Sequence, residues 1–373
     1  MANKVRLNMS DLGIYSPFLK AKEAEFVAIA RLSSSARSDM APFFDIQKPE
    51  KRHSLQLHLQ SVVDGISDCW GGDQTVFIDL LDLGVEARVE TGEHPLSYVF
   101  RQFGSSLFPL AAVPVTGLLA DRDEAYIEAV KDIAATDGRG IGLRLQRHDV
   151  DDPAETERGI LGLLARLVIL PRDVDLFLDF RSVVNDDVAS LTRRSVRLLR
   201  VLFDRFKFRS VTVTCSNVPD SVADVVETWD SVAKVPRIEW RLWDLIRAGV
   251  PVEIRFGDYA TVAPDFLGGA GGNQNINAKI RYSTPLNYVF LRGRPLFKPQ
   301  KNFEQFYDLA AKLVEMEEFA GPDSSWGDGE IHACARRAVK HGNLTTWVQR
   351  TCNHHLEHTV QEARQRARVP APV

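Results

Sequence analysis

Four aspartates stand at or near the ends of short apolar segments. "APFFDI" carries Asp45, "TVFIDLLDL" carries Asp79, "DLFLDF" carries Asp179, and "VEIRFGDYA" runs into Asp258 and Tyr259. Carboxylates gathered at one place can hold Mg²⁺ or Mn²⁺ or act as acid and base, with Asp79, Asp179 and Asp258 the candidate metal ligands. Cations follow the same segments: Lys20 and Lys22, Arg144, Arg181, and further along Arg281 and Arg292. Guanidinium and ammonium groups so placed suit phosphate oxygens. Burying carboxylates costs several kcal/mol unless they are paired or metal-bound, so two arrangements stand open. In one, acids and bases form a structural ion network. In the other, the acids hold a divalent metal and the cations hold an anionic ligand.

These residues require elements that bring them to one rim. Eight short segments rich in Val, Ile, Leu and Phe recur at steps of about 30 residues: 14–21, 41–46, 75–83, 110–118, 140–146, 175–180, 210–215 and 252–256. Between them run amphipathic stretches such as "HSLQLHLQSVVDGISDCW" and "DVASLTRRSVRLLRVLFDRF", with helix starts after Asp, Pro or Ser. Eight alternations predict an α/β fold, a (β/α)₈ TIM-like barrel, and in such barrels the C-terminal strand ends form the site. A doubly wound sheet fits less well, because no Gly-rich phosphate fingerprint opens a helix after a strand; "GRGIGL" precedes and enters a strand instead.

The expected organisation is a flexible N-terminus over 1–12, the barrel over 13–257, an insert over 258–301, a final barrel helix with a C-terminal helical extension over 302–363, and a flexible tail over 364–373. An insert of this length is long for a βα loop and reads as a lid with a hairpin, "PLNYVFLRGRPLF", whose closure would bring Arg281 and Arg292 to the site. Near the end, "CNHHLEH" groups Cys352, His354, His355 and His358. His354 and His358 share a helix face, but the glutamate of a zinc-protease helix is missing beside the first histidine, so a structural role is the better reading.

A net charge of −4 with pI near 6.2 argues against a protein that coats nucleic acid by bulk electrostatics. Four dispersed cysteines form no CxxC pair, and no run of roughly 18 apolar residues or signal-peptide core occurs, so a cytoplasmic protein without a membrane segment is expected.

In their order and spacing, "YSPFLKAKEAEF", "APFFDI", "FIDL", "GLRL", "LFLDF", "RIEWRLW", "FGDYA", "IRYS", "VFLRGR", "SWGDGEIHACA" and "TTWVQRTCNHHLEH" resemble the phage beta-protein family, also labelled beta family protein. The likeness covers almost the whole chain. It departs in the first turn, where Lys22 is followed by Glu23-Ala24-Glu25 and not by a basic residue and Gly-Glu. The resemblance implies a phage or bacterial antiviral-defence setting and a nucleotide or nucleic-acid ligand. The expectation is a metal-assisted phosphoesterase or nuclease-like hydrolase. The alternative is a non-catalytic binding or assembly subunit that recognises a phage or host protein. The pattern leaves open whether a reaction occurs at all.

Overall fold

The computed structural model describes residues 12–49, 54–71, 74–105, 110–264, 276–297 and 302–368. The expected flexible N-terminus therefore lies outside the described residues except for Leu12, as do the glycine-rich part of the insert and residues 369–373 of the tail.

The strands are β1 (Tyr15–Lys20), β2 (Phe43–Asp45), β3 (Thr75–Asp79), β4 (Ala111–Thr116), β5 (Ile141–Leu145), β6 (Val174–Ser182), β7 (Ser210–Ser216), β8 (Ser231–Pro236), β9 (Arg255–Asp258), β10 (Asn277–Ser283) and β11 (Asn287–Pro295). All but β8, β10 and β11 close into one barrel, parallel throughout, with β9 completing the ring between β7 and β1. This is the (β/α)₈ barrel that the eight alternations predict. The eight barrel strands coincide with the eight apolar segments, because strands covered on both faces carry almost no polar residues.

Helices α1 (Glu23–Ala30), α2 (Ser34–Ser38), α3 (Leu55–Cys69), α4 (Pro95–Ser105), α5 (Glu124–Asp137), α6 (Pro153–Leu167), α7 (Val188–Arg205) and α8 (Ile238–Gly249) follow the strands. Their starts are capped as the sequence suggests: Ser54, Asp123, Asp152 and Asp187 each accept a backbone N–H of the first turn.

A second unit follows the barrel. β10 and β11 form a hairpin, and β8 joins the free side of β11 to make an antiparallel sheet. One face of this small sheet presents Ala278, Ile280 and Tyr282 to a core built with α9 (Gln305–Val314), α10 (Trp326–Ala335) and Trp347 of α11 (Leu344–Ala367). The helix beginning near residue 302 thus packs on the small sheet, and the long α11 lies along α1 against the barrel. Residues 364–367, expected in the tail, are the last turn of α11.

Strand alternation decides what enters the barrel. Phe18, Phe43, Phe77, Val113, Val115 and Phe177 meet in the lumen with Tyr259. Phe18 and Phe43 stack at 4.0 Å, and Phe177 meets Phe77 edge-on at 4.8 Å. Gly142 and Gly257 share this layer for want of room: a Cβ on Gly142 would lie 2.9 Å from Val115 Cγ2, and one on Gly257 would lie 3.0 Å from both Ser16 O and Thr214 Cβ.

Candidate functional site

One step above the aromatic layer, the inward positions are Lys20, Asp45, Asp79, Arg144, Asp179 and Tyr259, all at most 5 % exposed. Arg144 is the centre. Its Nε and Nη2 donate to Asp179 Oδ2 at 2.9 and 2.7 Å, its Nη1 donates to Asp79 Oδ2 at 2.8 Å, and its Nη1 lies 3.8 Å from Asp45 Oδ1. Tyr259 receives an Arg144 Nη2 hydrogen at 3.1 Å and donates its own to Asp179 Oδ2 at 2.6 Å. Below, the guanidinium rests over the rings of Phe43 and Phe18 at 5.3 and 5.7 Å.

Burial disfavours the Arg144 charge, but Tyr259, Asp179, Asp45 and Asp79 outweigh it and hold the guanidinium firmly protonated. Asp79 shows the complementary balance: burial raises its pKa, and Arg122 and Arg144 bring it below the usual carboxylate range. Arg122 and Tyr126, which sequence reasoning passed over because strand four looked uninformative, both reach Asp79 Oδ1 at 3.2 Å. The signal was the "ADRDEAY" stretch, an arginine in the loop next to an aspartate that needed compensation.

Asp45 is the exception. Among the described residues neither of its oxygens has a hydrogen-bond partner, and the cations beside it are Lys20 Nζ at 3.7 Å and Arg144 Nη1 at 3.8 Å. Burial therefore raises its pKa. Lys20 donates to Pro264 O at 2.5 Å and lines, with Glu25, Tyr259 and Cys352, a cavity of about 10 Å³, room for one water. Glu25 is a second residue that sequence reasoning missed. Burial lifts its carboxyl to about 7, and its Oε2 has no partner.

Asp258 corrects the expected rim. Tyr259 points into the lumen, so its neighbour Asp258 points outward, away from the other aspartates. Its Oδ1 accepts from Tyr15 OH at 2.5 Å and Ala260 N at 3.0 Å, and its Oδ2 lies 2.9 Å from His355 Nε2. His355 Nδ1 meets Ser283 Oγ at 2.6 Å, and His354 bridges Asp328 Oδ2 and Ser283 O at 2.8 Å each. The "CNHHLEH" cluster is thus a buried joint between barrel, small sheet and α10. Arg237, also missed, secures it through Thr284 O, Thr359 Oγ1 and Glu362.

Three of the four strand-end acids share one local task. Asp79, Asp179 and Asp258 each accept the backbone N–H two residues on, from Leu81, Arg181 and Ala260, and Ser216 does the same for Val218. Arg181 and Ala260 adopt left-handed backbone with φ of 53° and 50°, which these side-chain caps support.

The remaining expected ligand residues are dispersed. Lys22 is exposed at the start of α1. Arg292 donates to Val226 O and Glu227 O at 2.6 and 2.8 Å, tying β11 to the loop after β7. Arg281 lies on the barrel-facing side of β10, 8 % exposed, with Nη1 on Thr261 O at 3.2 Å.

As candidate metal ligands, Asp79 and Asp179 are held apart by the Arg144 guanidinium, and Asp258 is on the other side of the barrel wall. Among the described residues, a different group converges: Asp121, His148 and Asp149, with donor atoms within 4.8 Å of one another. His148 is exposed, and Asp121 Oδ2 and Asp149 Oδ2 already accept Leu118 N and Gln146 N.

A closed parallel barrel with its lumen sealed by an arginine-centred ion network, roofed on one side by a small antiparallel sheet, defines a (β/α)₈ barrel protein with an added sheet-and-helix unit. Residues 15–361 match the family model described as Beta protein, and the chain belongs to that family. No curated protein matches the chain. No described helix is long and apolar enough to cross a membrane.

Proposed function

We propose that this Beta protein family member is a binding and assembly subunit in a phage or bacterial-defence setting, with the barrel as scaffold and recognition made beside it. One observation carries the reading: Arg144, with 0 % exposure, fills the space between Asp79 and Asp179 where a metal and its substrate would have to lie. Arg144, Asp79, Asp179 and Tyr259 satisfy one another within this buried network, and breaking it by removing one partner costs about 3–5 kcal/mol. The partner in this reading is a phage or host protein, and the family resemblance supports that setting.

The hydrolytic alternative, a Mg²⁺- or Mn²⁺-assisted phosphoesterase acting on a nucleotide or nucleic acid in the cytoplasm, keeps one observation in its favour. Among the described residues, Asp45 has two unbonded oxygens, and Lys20, 3.7 Å from it, lines a cavity with room for a water.

Thermal unfolding of wild type and Asp179→Ala, each titrated with Mg²⁺ and Mn²⁺, separates the two. The binding reading expects a large loss of stability in the variant and no saturable metal response in wild type. A metal response confined to wild type, with Asp179→Ala otherwise as stable, overturns it in favour of hydrolysis.

A further inference from the structure

Among the described residues, each buried arginine either has an acid against it or has all its nitrogens matched to oxygens, with one exception. Arg144 has three acids around it, Arg209 grips Asp175 through Nε and Nη2 at 3.0 and 2.5 Å, and Arg237 has Glu362. Arg281 has only the Thr261 carbonyl, on Nη1. Among the described residues its Nε and Nη2 have no partner, and no carboxylate opposes the burial that draws its pKa down to about 10. A guanidinium is seldom buried unless paired, because desolvating an isolated charge is expensive.

The buried, unpartnered edge of Arg281 has a specific shape. Nε and Nη2 form the edge that grips two oxygens of one oxyanion, the edge Arg209 presents to Asp175. Lys279 stands two residues back on the same face of β10. Burial and then the neighbouring Arg281 lower its pKa to about 8, so the two cations repel each other. Across the strand pair, Arg281 faces Phe290, one of an apolar group with Val218, Val222 and Val226.

We propose that Arg281, with Lys279 beside it, anchors a site for a phosphate-type oxyanion at the junction of the small sheet and the barrel. This rests on the binding reading above and adds to it a small phosphate-bearing ligand held beside the barrel. The Nε/Nη2 edge takes two of its oxygens, and two adjacent cations match a group carrying more than one negative charge. The same chemistry is offered by a free phosphate or by the phosphates of a nucleotide.

The test is calorimetric titration and thermal unfolding of the full chain with inorganic phosphate, pyrophosphate, ADP and acetate at matched ionic strength, on wild type, Arg281→Gln and Arg281→Lys. Wild type is expected to bind pyrophosphate saturably with a rise in Tm. Arg281→Gln should lose that rise and at least tenfold in affinity, and Arg281→Lys, which keeps the charge without the fork, should fall between them. Tighter binding of ADP than of pyrophosphate assigns a nucleotide as the source, and equal or weaker binding assigns a free phosphate. Without anion, Arg281→Gln should be as stable as wild type or more so, since it removes an unmatched buried charge. The proposal is overturned if wild type shows no saturable response, if Arg281→Gln responds equally, if acetate binds as well as phosphate, or if Arg281→Gln is destabilised without any anion. Such a failure leaves the sealed-lumen reading standing, because that rests on Asp179 and its separate metal titration.

Discussion

Glu25 carries a charge that the fold tolerates poorly. Burial is the main reason its carboxyl rises from 4.5 to about 7, with Lys22 and Lys20 only partly opposing it. An acid with a raised folded pKa contributes stability that is complete below its unfolded value and is lost as pH climbs through its folded value. Glu25→Gln should therefore match wild type near pH 4 and exceed it above pH 7, by on the order of 3 kcal/mol. Urea unfolding at pH 5 and pH 8 reads this, and a difference independent of pH would show that the carboxyl is not desolvated. Nothing in the "KAKEAEF" stretch distinguishes Glu25 from a solvated helix residue. Its partners in burial, Tyr259 and Cys352, are more than two hundred positions away in sequence. By contrast Asp45, Asp79, Arg144 and Asp179 were legible, since a polar residue closing an apolar strand has to point either into the lumen or into the helix layer.

At the level of elements, that same choice explains the misplaced aspartate. "FGDYA" offers two neighbouring polar groups, and alternation sends one to each side of the wall; one residue of register decides which. Only Tyr259 joins the lumen. β8 was not recognised because "SVAKVP" is half exposed and resembles a loop until β11 lies beside it. The joint made by Asp258, His355 and Ser283 yields a prediction at this scale. His355→Ala deprives both Asp258 and Ser283 of a buried partner, which should cost about 1–3 kcal/mol. Hydrogen exchange should quicken in β10 and β11 while β3 to β6 stay protected. Uniform quickening across the barrel would show instead that the joint holds the whole wall.

For the whole molecule, the eight alternations were enough to predict the barrel, because buried parallel strands and their helices leave a periodic record. The attachment of the second unit was not recorded in that way. It depends on α11, whose Trp347 belongs to the core beneath the small sheet while Leu356, Val360 and Ala363 belong to the core around the barrel. One continuous helix shared by two cores couples their melting. Calorimetry should show a single transition with equal van't Hoff and calorimetric enthalpies, and two resolved transitions would mean that the cores melt separately.

That shared helix also sets an order of events during synthesis. α1 lies against α11: Asn353 Nδ2 donates to Ala28 O at 2.9 Å, and Ser33 N donates to Glu357 Oε1 at 2.5 Å across 324 residues of chain. Until those late residues leave the ribosome, the parts of α1 and β1 that pack on α11 lack that cover, and Asp258 and Ser283 lack the imidazole that joins them. The barrel emerges strand by strand, but its first and last strands acquire their shared outer support only when α11 arrives, so a growing chain is kept open on that side through most of its translation.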